Sequence, residues 1–413
     1  MGDNFVCPIC GNSDPNSIGY RNGEPYCRKC ISFRGEEAGG YEHYPRSAYF
    51  HLDYDLSKDQ KSLSDTLIVN YKLGINTLVH AVCGSGKTEI VLEVIKYAIE
   101  CGDTVGFALP RRDVICELYD RFKSIFKRNK IALVYGGHTD DLEGDLVCLT
   151  THQLYRYQDY FDLLIVDEID AFPFKGNDVL NAFFTRSIRG HFIMMSATPS
   201  EEIIEEFQKE GKQAVELFSR FHKHPLPVPE IVVHKGFILF LALIDYVKEL
   251  LNKKKPIFIF TPTIEICDET FNFLKIFFRD GKSVHSKKPD RPKIIDDFRN
   301  GKYKYLVTTA VLERGVTIKD LQVIIFHSDH SIYDKYSLVQ IAGRVGRKKD
   351  APDGRVIFLA NEKTKDKDML WIYYMMINFM IEFEESTPKS EYEFATLPFD
   401  KIGITSNNNR ASS

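Results

Sequence analysis

AVCGSGKT, residues Ala81 to Thr88, lies between the apolar run Thr77-Leu78-Val79-His80 and the periodic Ile90-Val91-Leu92-Glu93-Val94-Ile95. The order reads as a buried strand, a tight loop and a helix. Gly84 and Gly86 remove the Cβ atoms that would obstruct a phosphate chain. Successive backbone N–H groups around Ser85 can then turn inward at a helix N-terminus, where the dipole favours negative charge. Lys87 adds a charge for the β- and γ-phosphates and Thr88 a hydroxyl for Mg2+. Such loops usually begin with glycine, and Ala81 stands in that place. A strand-turn-helix corner that merely contains Gly-Lys-Thr is the alternative, and the rest of the chain decides between them.

Leu163-Leu164-Ile165-Val166 is a fully apolar run ending in Asp167-Glu168-Ile169-Asp170. It predicts a buried strand with two carboxylates at its carboxyl end, where open parallel sheets bind ligands. Asp167 is placed to hold Mg2+ and Glu168 to polarise an attacking water. Further strands are expected at Val105–Pro110, Ile131–Tyr135, Leu146–Leu149 and Phe192–Met195, alternating with helical stretches. That alternation predicts a parallel sheet with helices on both faces. Pro110-Arg111-Arg112, Thr150-Thr151-His152-Gln153 and Ser196-Ala197-Thr198 fall at strand ends, where arginine and small hydroxyls suit a phosphodiester backbone, although each alone also suits a turn or helix cap. A helix is expected to begin near Leu56–Lys61, ahead of the loop, and Gln60 on it is a candidate for an adenine edge.

His224-Pro225-Leu226-Pro227-Val228-Pro229 is an extended connector in which alternate prolines forbid a helix. Beyond it strands are expected at Pro256–Thr261, Ser283–His285, Tyr305–Thr309, Val323–His327 and Val356–Leu359, with no second phosphate loop. Arg344 and Arg347, in QIAGRVGR from Gln340, are expected three apart on one helical face with glycines between them. Planar guanidiniums aimed at a γ-phosphate neutralise transition-state charge, which would complete a site the first half leaves open. An excess of Lys and Arg between Lys248 and Lys304 suits either a phosphate-facing surface or a solvated helix face.

At 413 residues the chain accommodates two or three domains. Net charge of −4 neither announces nor excludes a nucleic-acid partner, because a local basic groove suffices. No secretory signal is evident, and the apolar stretch from Met369 to Phe383 is interrupted and short for a bilayer span, so a cytosolic protein is expected. Four of the nine cysteines form Cys7-x2-Cys10 and Cys27-x2-Cys30. This spacing predicts a closed structural zinc site on a small β-ribbon; disulfides and iron–sulfur ligation are the alternatives. Tyr20, Arg21, Tyr26, Arg28 and Lys29 leave nucleic-acid contact and a plain protein-docking cap both open.

In this order and with these gaps, AVCGSGKT, PRR, DEID, SAT, TTAVLERGVTI and QIAGRVGR resemble the Asp-Glu-box helicase superfamily, whose members have two RecA-like lobes. More narrowly, the amino-terminal four-cysteine knuckle, DEIDAFPF and HPLPVP resemble the late-competence DNA-uptake ATPases. The resemblance implies Lys87, Thr88, Asp167 and Glu168 in the roles given above. It further implies Gly315 at the nucleotide, Gln340 at the γ-phosphate, Arg344 and Arg347 as arginine fingers, and Ser196 and Thr198 in coupling. Arg111, Thr151 and Thr309 would lie along a bound single strand. It also implies an ATP- and Mg2+-dependent motor that draws single-stranded DNA into the cytoplasm. Such a motor works beside a membrane channel and a phosphoribosyltransferase-like partner, held peripherally at the inner membrane face; a homo-oligomer stays open.

The expected fold class is thus α/β. A zinc module spans 1–39, a first lobe 40–222, a connector 223–233, a second lobe 234–362 and a tail 363–413, for which a docking helix and a disordered end stay open. A duplex-unwinding primosomal or repair helicase and a nucleotide-switched zinc scaffold are the competing functional readings.

Overall fold

The computed structural model describes residues 5–40, 44–52, 54–82, 84–169, 176–197, 199, 201–209, 211–217, 224, 227–312, 317–348 and 350–362. The chain opens with a hairpin of β1 (Ile18–Arg21) and β2 (Glu24–Cys27). Asn22 and Gly23 turn it with φ of 54° and 85°, the left-handed pair that matches the strand twist.

The first lobe follows as α1 (Lys58–Lys72), β3 (Thr77–Ala81), α2 (Lys87–Ile90), α3 (Leu92–Cys101), β4 (Val105–Leu109), α4 (Arg112–Ile125), β5 (Ile131–Val134), β6 (Leu146–Thr150), β7 (Phe161–Asp167), α5 (Asp178–Ser187), β8 (Ile188–Ser196), α6 (Glu201–Lys209) and β9 (Gln213–Leu217). Its seven strands are all parallel, in the order β5-β6-β4-β7-β8-β3-β9. Alternate residues enter separate cores. Val105, Phe107, Leu163 and Ile165 meet α1, α3 and α4 on one face, while Val147, Leu149, Leu164 and Val166 meet α5 and α6 on the other. Covering both faces explains why β4 and β6 are buried at every residue. Fully burying a side chain such as Phe107 or Phe122, whose rings meet at 5.4 Å, contributes about 2–3 kcal/mol.

The second lobe comprises β10 (Glu230–Val233), α7 (Phe237–Asn252), β11 (Ile257–Phe260), α8 (Ile264–Phe277), β12 (Gly281–Val284), α9 (Arg291–Arg299), β13 (Tyr305–Thr308), β14 (Gln322–Phe326), α10 (Lys335–Ala342) and β15 (Val356–Ala360). They build a second parallel sheet, β10-β15-β14-β11-β13-β12. The sequence reading runs the connector to residue 233, but Glu230–Val233 pairs with Ile357–Ala360 as an edge strand of this sheet.

GEEAGG, residues Gly35 to Gly40, is pinned to the first lobe. The Arg156 guanidinium donates to the Glu36 carbonyl (2.6 Å), the Ala38 N–H donates to the Arg156 carbonyl (2.9 Å), and Arg186 pairs with Glu37 (3.0 Å). Phe33 stacks on His152 at 6.2 Å and meets Phe183 edge-on at 5.0 Å. The cysteine module therefore joins the α5–α6 core, which supplies the apolar burial so small a ribbon lacks.

Candidate active site

Register brings the first-lobe motifs to one sheet edge. Asp167 is level with Met195, and His80, at the end of the strand that feeds the loop, is level with Ser196. Gly86 caps α2 at φ 84° and ψ 43° and offers no side chain to the helix N-terminus, leaving that end for a ligand. A Cβ at Gly86 would overlap the Gln60 amide nitrogen. The Ser85 N–H closes a turn onto the Val82 carbonyl (3.2 Å), and its fully buried hydroxyl has no hydrogen-bond partner among the described residues. The structure brings Gln60, the candidate for an adenine edge, to the loop and commits both ends of its amide. Gln60 Oε1 accepts from the Ser57 N–H (2.9 Å), completing a capping box, and Nε2 donates to the Ser85 carbonyl (2.7 Å).

Lys87 Nζ lies 3.4 Å from Asp167 Oδ1, both side chains largely buried. Burial pushes the Asp167 carboxyl above its ordinary range more strongly than the Lys87 charge lowers it. Such a carboxylate, with the Thr88 hydroxyl next to Lys87, suits a divalent cation, whose charge would favour the ionised form. Glu168 follows at φ 61°, uncommon for a non-glycine residue, with its N–H donating to Asp167 Oδ1 (2.8 Å).

From the second lobe come Gln340, buried on α10, and Arg344, 1% exposed. Here the sequence expectation needs correcting. Arg344 and Arg347 do not share a helical face, because α10 ends at Ala342 and residues 343–346 form turns. Gly346 adopts φ 69°, a left-handed conformation that a right-handed helix cannot continue. Arg347 Nε instead donates to the Gly343 carbonyl at 2.8 Å. Arg111 caps α4 and reaches the second lobe, its Nη1 at 3.4 Å from the Ala310 carbonyl and 3.3 Å from that of Val311, adjacent to half-buried Thr309. Thr151 is fully buried at the start of a 3-10 turn, with a hydroxyl that has no hydrogen-bond partner among the described residues. Thr198 and Gly315 lie outside the described residues.

The Sγ atoms of Cys7, Cys10, Cys27 and Cys30 all lie within 4.8 Å of one another, with Cys7–Cys30 at 3.5 Å and Cys10–Cys27 at 3.6 Å. A tetrahedral zinc with ~2.3 Å bonds to sulfur requires edges of ~3.8 Å, so four buried thiolates fit that ion with no position left open.

Sequence reasoning missed one cluster beside the loop. Glu89, next to Thr88, accepts from Arg121 (2.6 Å) and from the Tyr54 hydroxyl (2.7 Å). Burial alone would raise the Glu89 carboxyl, but Arg121 and Tyr54 more than offset it and hold it below the usual range. Glu89 is visible in the motif, but nothing local names a partner 32 residues away.

Two parallel lobes, one with a phosphate loop and acidic strand end and the other with arginines, define an ATP-hydrolysing enzyme of the helicase superfamily. Residues 53–201 match the family model "Type III restriction enzyme, res subunit", and residues 242–349 match "Helicase conserved C-terminal domain". Among solved structures, Saccharomyces cerevisiae Dbp5 bound to RNA and ADP BeF3 shares the fold, with a TM-score of 0.62 at 16% identity, covering 78% of this chain and 88% of that one. The chain belongs to the competence protein ComFA family. It is 32% identical over 383 residues to ComFA of Bacillus subtilis (strain 168), covering 87% of this chain and 83% of that protein. It is 34% identical over 376 residues to ComFA of Streptococcus pneumoniae (strain ATCC BAA-255 / R6), covering 86% of each. Among the described residues no helix is long and apolar enough to cross a membrane.

Proposed function

We propose that this chain is an ATP-driven motor that moves along single-stranded DNA and serves DNA uptake during natural transformation. The reading is supported by a phosphate loop and acidic strand end on one parallel lobe, Gln340, Arg344 and Arg347 on a second, and membership of a competence family. The first lobe holds the phosphate chain through the Gly84–Thr88 loop, and Glu168 orients the attacking water. Thr88 and Asp167 would hold Mg2+, which would supply positive charge against the negative charge developing on the phosphates. Arg344 and Arg347 act from the second lobe, so the site is complete only when the lobes close, and hydrolysis reopens them. Arg111, Thr151 and Thr309 are the proposed strand contacts. Alternating grip on phosphates and sugars would tolerate any sequence and weaken steeply with salt.

The four-cysteine module holds zinc in this reading. The motor works at the inner membrane face through a channel and a phosphoribosyltransferase-like partner.

The test is displacement of streptavidin from biotinylated single strands, run beside unwinding of forked duplex. Displacement without unwinding supports translocation. Efficient unwinding assigns the chain to the replication or repair helicases, and neither activity, with ATP turnover indifferent to DNA, overturns the motor.

A further inference from the structure

We propose that α4 is the strut that carries lobe closure to the phosphate loop, with Arg121 as a positioning residue whose contact with Glu89 is the joint. The inference rests on the two-lobe ATPase reading above and adds a route through the first lobe. At its first turn α4 faces the second lobe, where Arg111 reaches the Ala310 and Val311 carbonyls and Asp113 pairs with Arg291 on α9. Ten residues along, at ~1.5 Å each, Arg121 stands ~15 Å away, against the residue that follows Thr88. Along its length Ile115, Leu118 and Phe122 bury one face of the helix, with Phe122 against Phe107, so α4 moves with little bending.

The joint is built to transmit. The Glu89 side chain is 14% exposed and accepts a charge-assisted bond from Arg121 and one from the Tyr54 hydroxyl. A shift of α4 therefore meets a buried carboxylate fixed to the first turn of α2, which carries Lys87 and Thr88. Beside it Gln60 holds the Ser85 carbonyl, and Gln60 Nε2 and Glu89 Oε2 both lie against the space above Gly86. Held by Gln60 at Ser85 and by Glu89 at the start of α2, the loop has a position that depends on where α4 stands. A plain stabilising ion pair predicts something else: with Arg121 36% exposed the pair contributes only modestly to stability, and a purely structural role would depress DNA-free and DNA-stimulated turnover alike.

The experiment compares wild type, Arg121→Met and Arg121→Lys in the full chain. ATP turnover is measured with and without oligothymidylate, and lobe closure by fluorescence transfer between dyes on the two lobes during titration with a non-hydrolysable ATP analogue. Arg121→Met is expected to lose ~tenfold of the DNA stimulation with its DNA-free rate and melting temperature little changed, and Arg121→Lys to recover part of it. It should also need ~tenfold more analogue to close. Equal stimulation in Arg121→Met and wild type, or a matching fall of the DNA-free and DNA-stimulated rates, overturns the strut. If wild type itself ignores DNA, the motor reading fails and the strut is judged on closure alone, where an unshifted titration midpoint overturns it.

Discussion

The two lobes repeat one strand-loop-helix unit and use it differently. In the first, β3 runs through Gly84-Ser85-Gly86 into α2, and the helix N-terminus has no side-chain cap. In the second, β11 runs through Thr261-Pro262-Thr263 into α8, and the Thr263 hydroxyl accepts from the Ile266 N–H at 3.2 Å. One helix leaves its donors for a ligand, and the other satisfies them itself. The parallel sheet is common to both, so binding chemistry depends on three loop residues and not on the fold. The second lobe contributes arginines instead, carried on turns beyond α10.

The comparison breaks most visibly at Lys87. Lys87→Ala is expected to lower steady-state ATP hydrolysis roughly 10³-fold, since it removes a preorganised charge at the phosphates. Turnover near wild type would mean that the first-lobe loop is not the phosphate site. Gly86→Ala sharpens the contrast at smaller cost. A side chain at φ 84° loses about 1–2 kcal/mol and overlaps Gln60, so ATP binding should weaken roughly tenfold in a fluorescent-nucleotide titration, and unchanged affinity would refute the cradle. Thr263→Ala, the equivalent position in the second lobe, should cost only about 1 kcal/mol of stability in chemical denaturation and leave kcat untouched. A loss of turnover there would give the second loop a role the geometry denies it.

The sheets were legible in the sequence because each buried strand is a short continuous apolar run between turn residues, as in Leu163–Val166 and Ile257–Phe260. β9 and β10 were not: Gln213–Leu217 and Glu230–Val233 lie at sheet edges, and their polar residues and incomplete burial weaken the pattern. The phosphate loop was legible because backbone geometry forces its glycines. The turn that separates Arg344 from Arg347 was misread because a glycine within a helical period does not reveal the sign of its φ. The dock of Phe33 and the Glu89–Arg121 joint depend on partners remote in sequence, which no local spacing encodes.

The central claim is that one nucleotide is shared between a loop on the first lobe and arginines on the second. Single-turnover ATP hydrolysis by Arg347→Ala, with nucleotide affinity measured alongside, tests it most directly. The account predicts a fall of about 10³-fold or more in the hydrolysis rate with ATP affinity nearly unchanged, the pattern of an arginine that acts only in the transition state. Hydrolysis at the wild-type rate would contradict it, and would leave the first lobe as a self-sufficient ATPase.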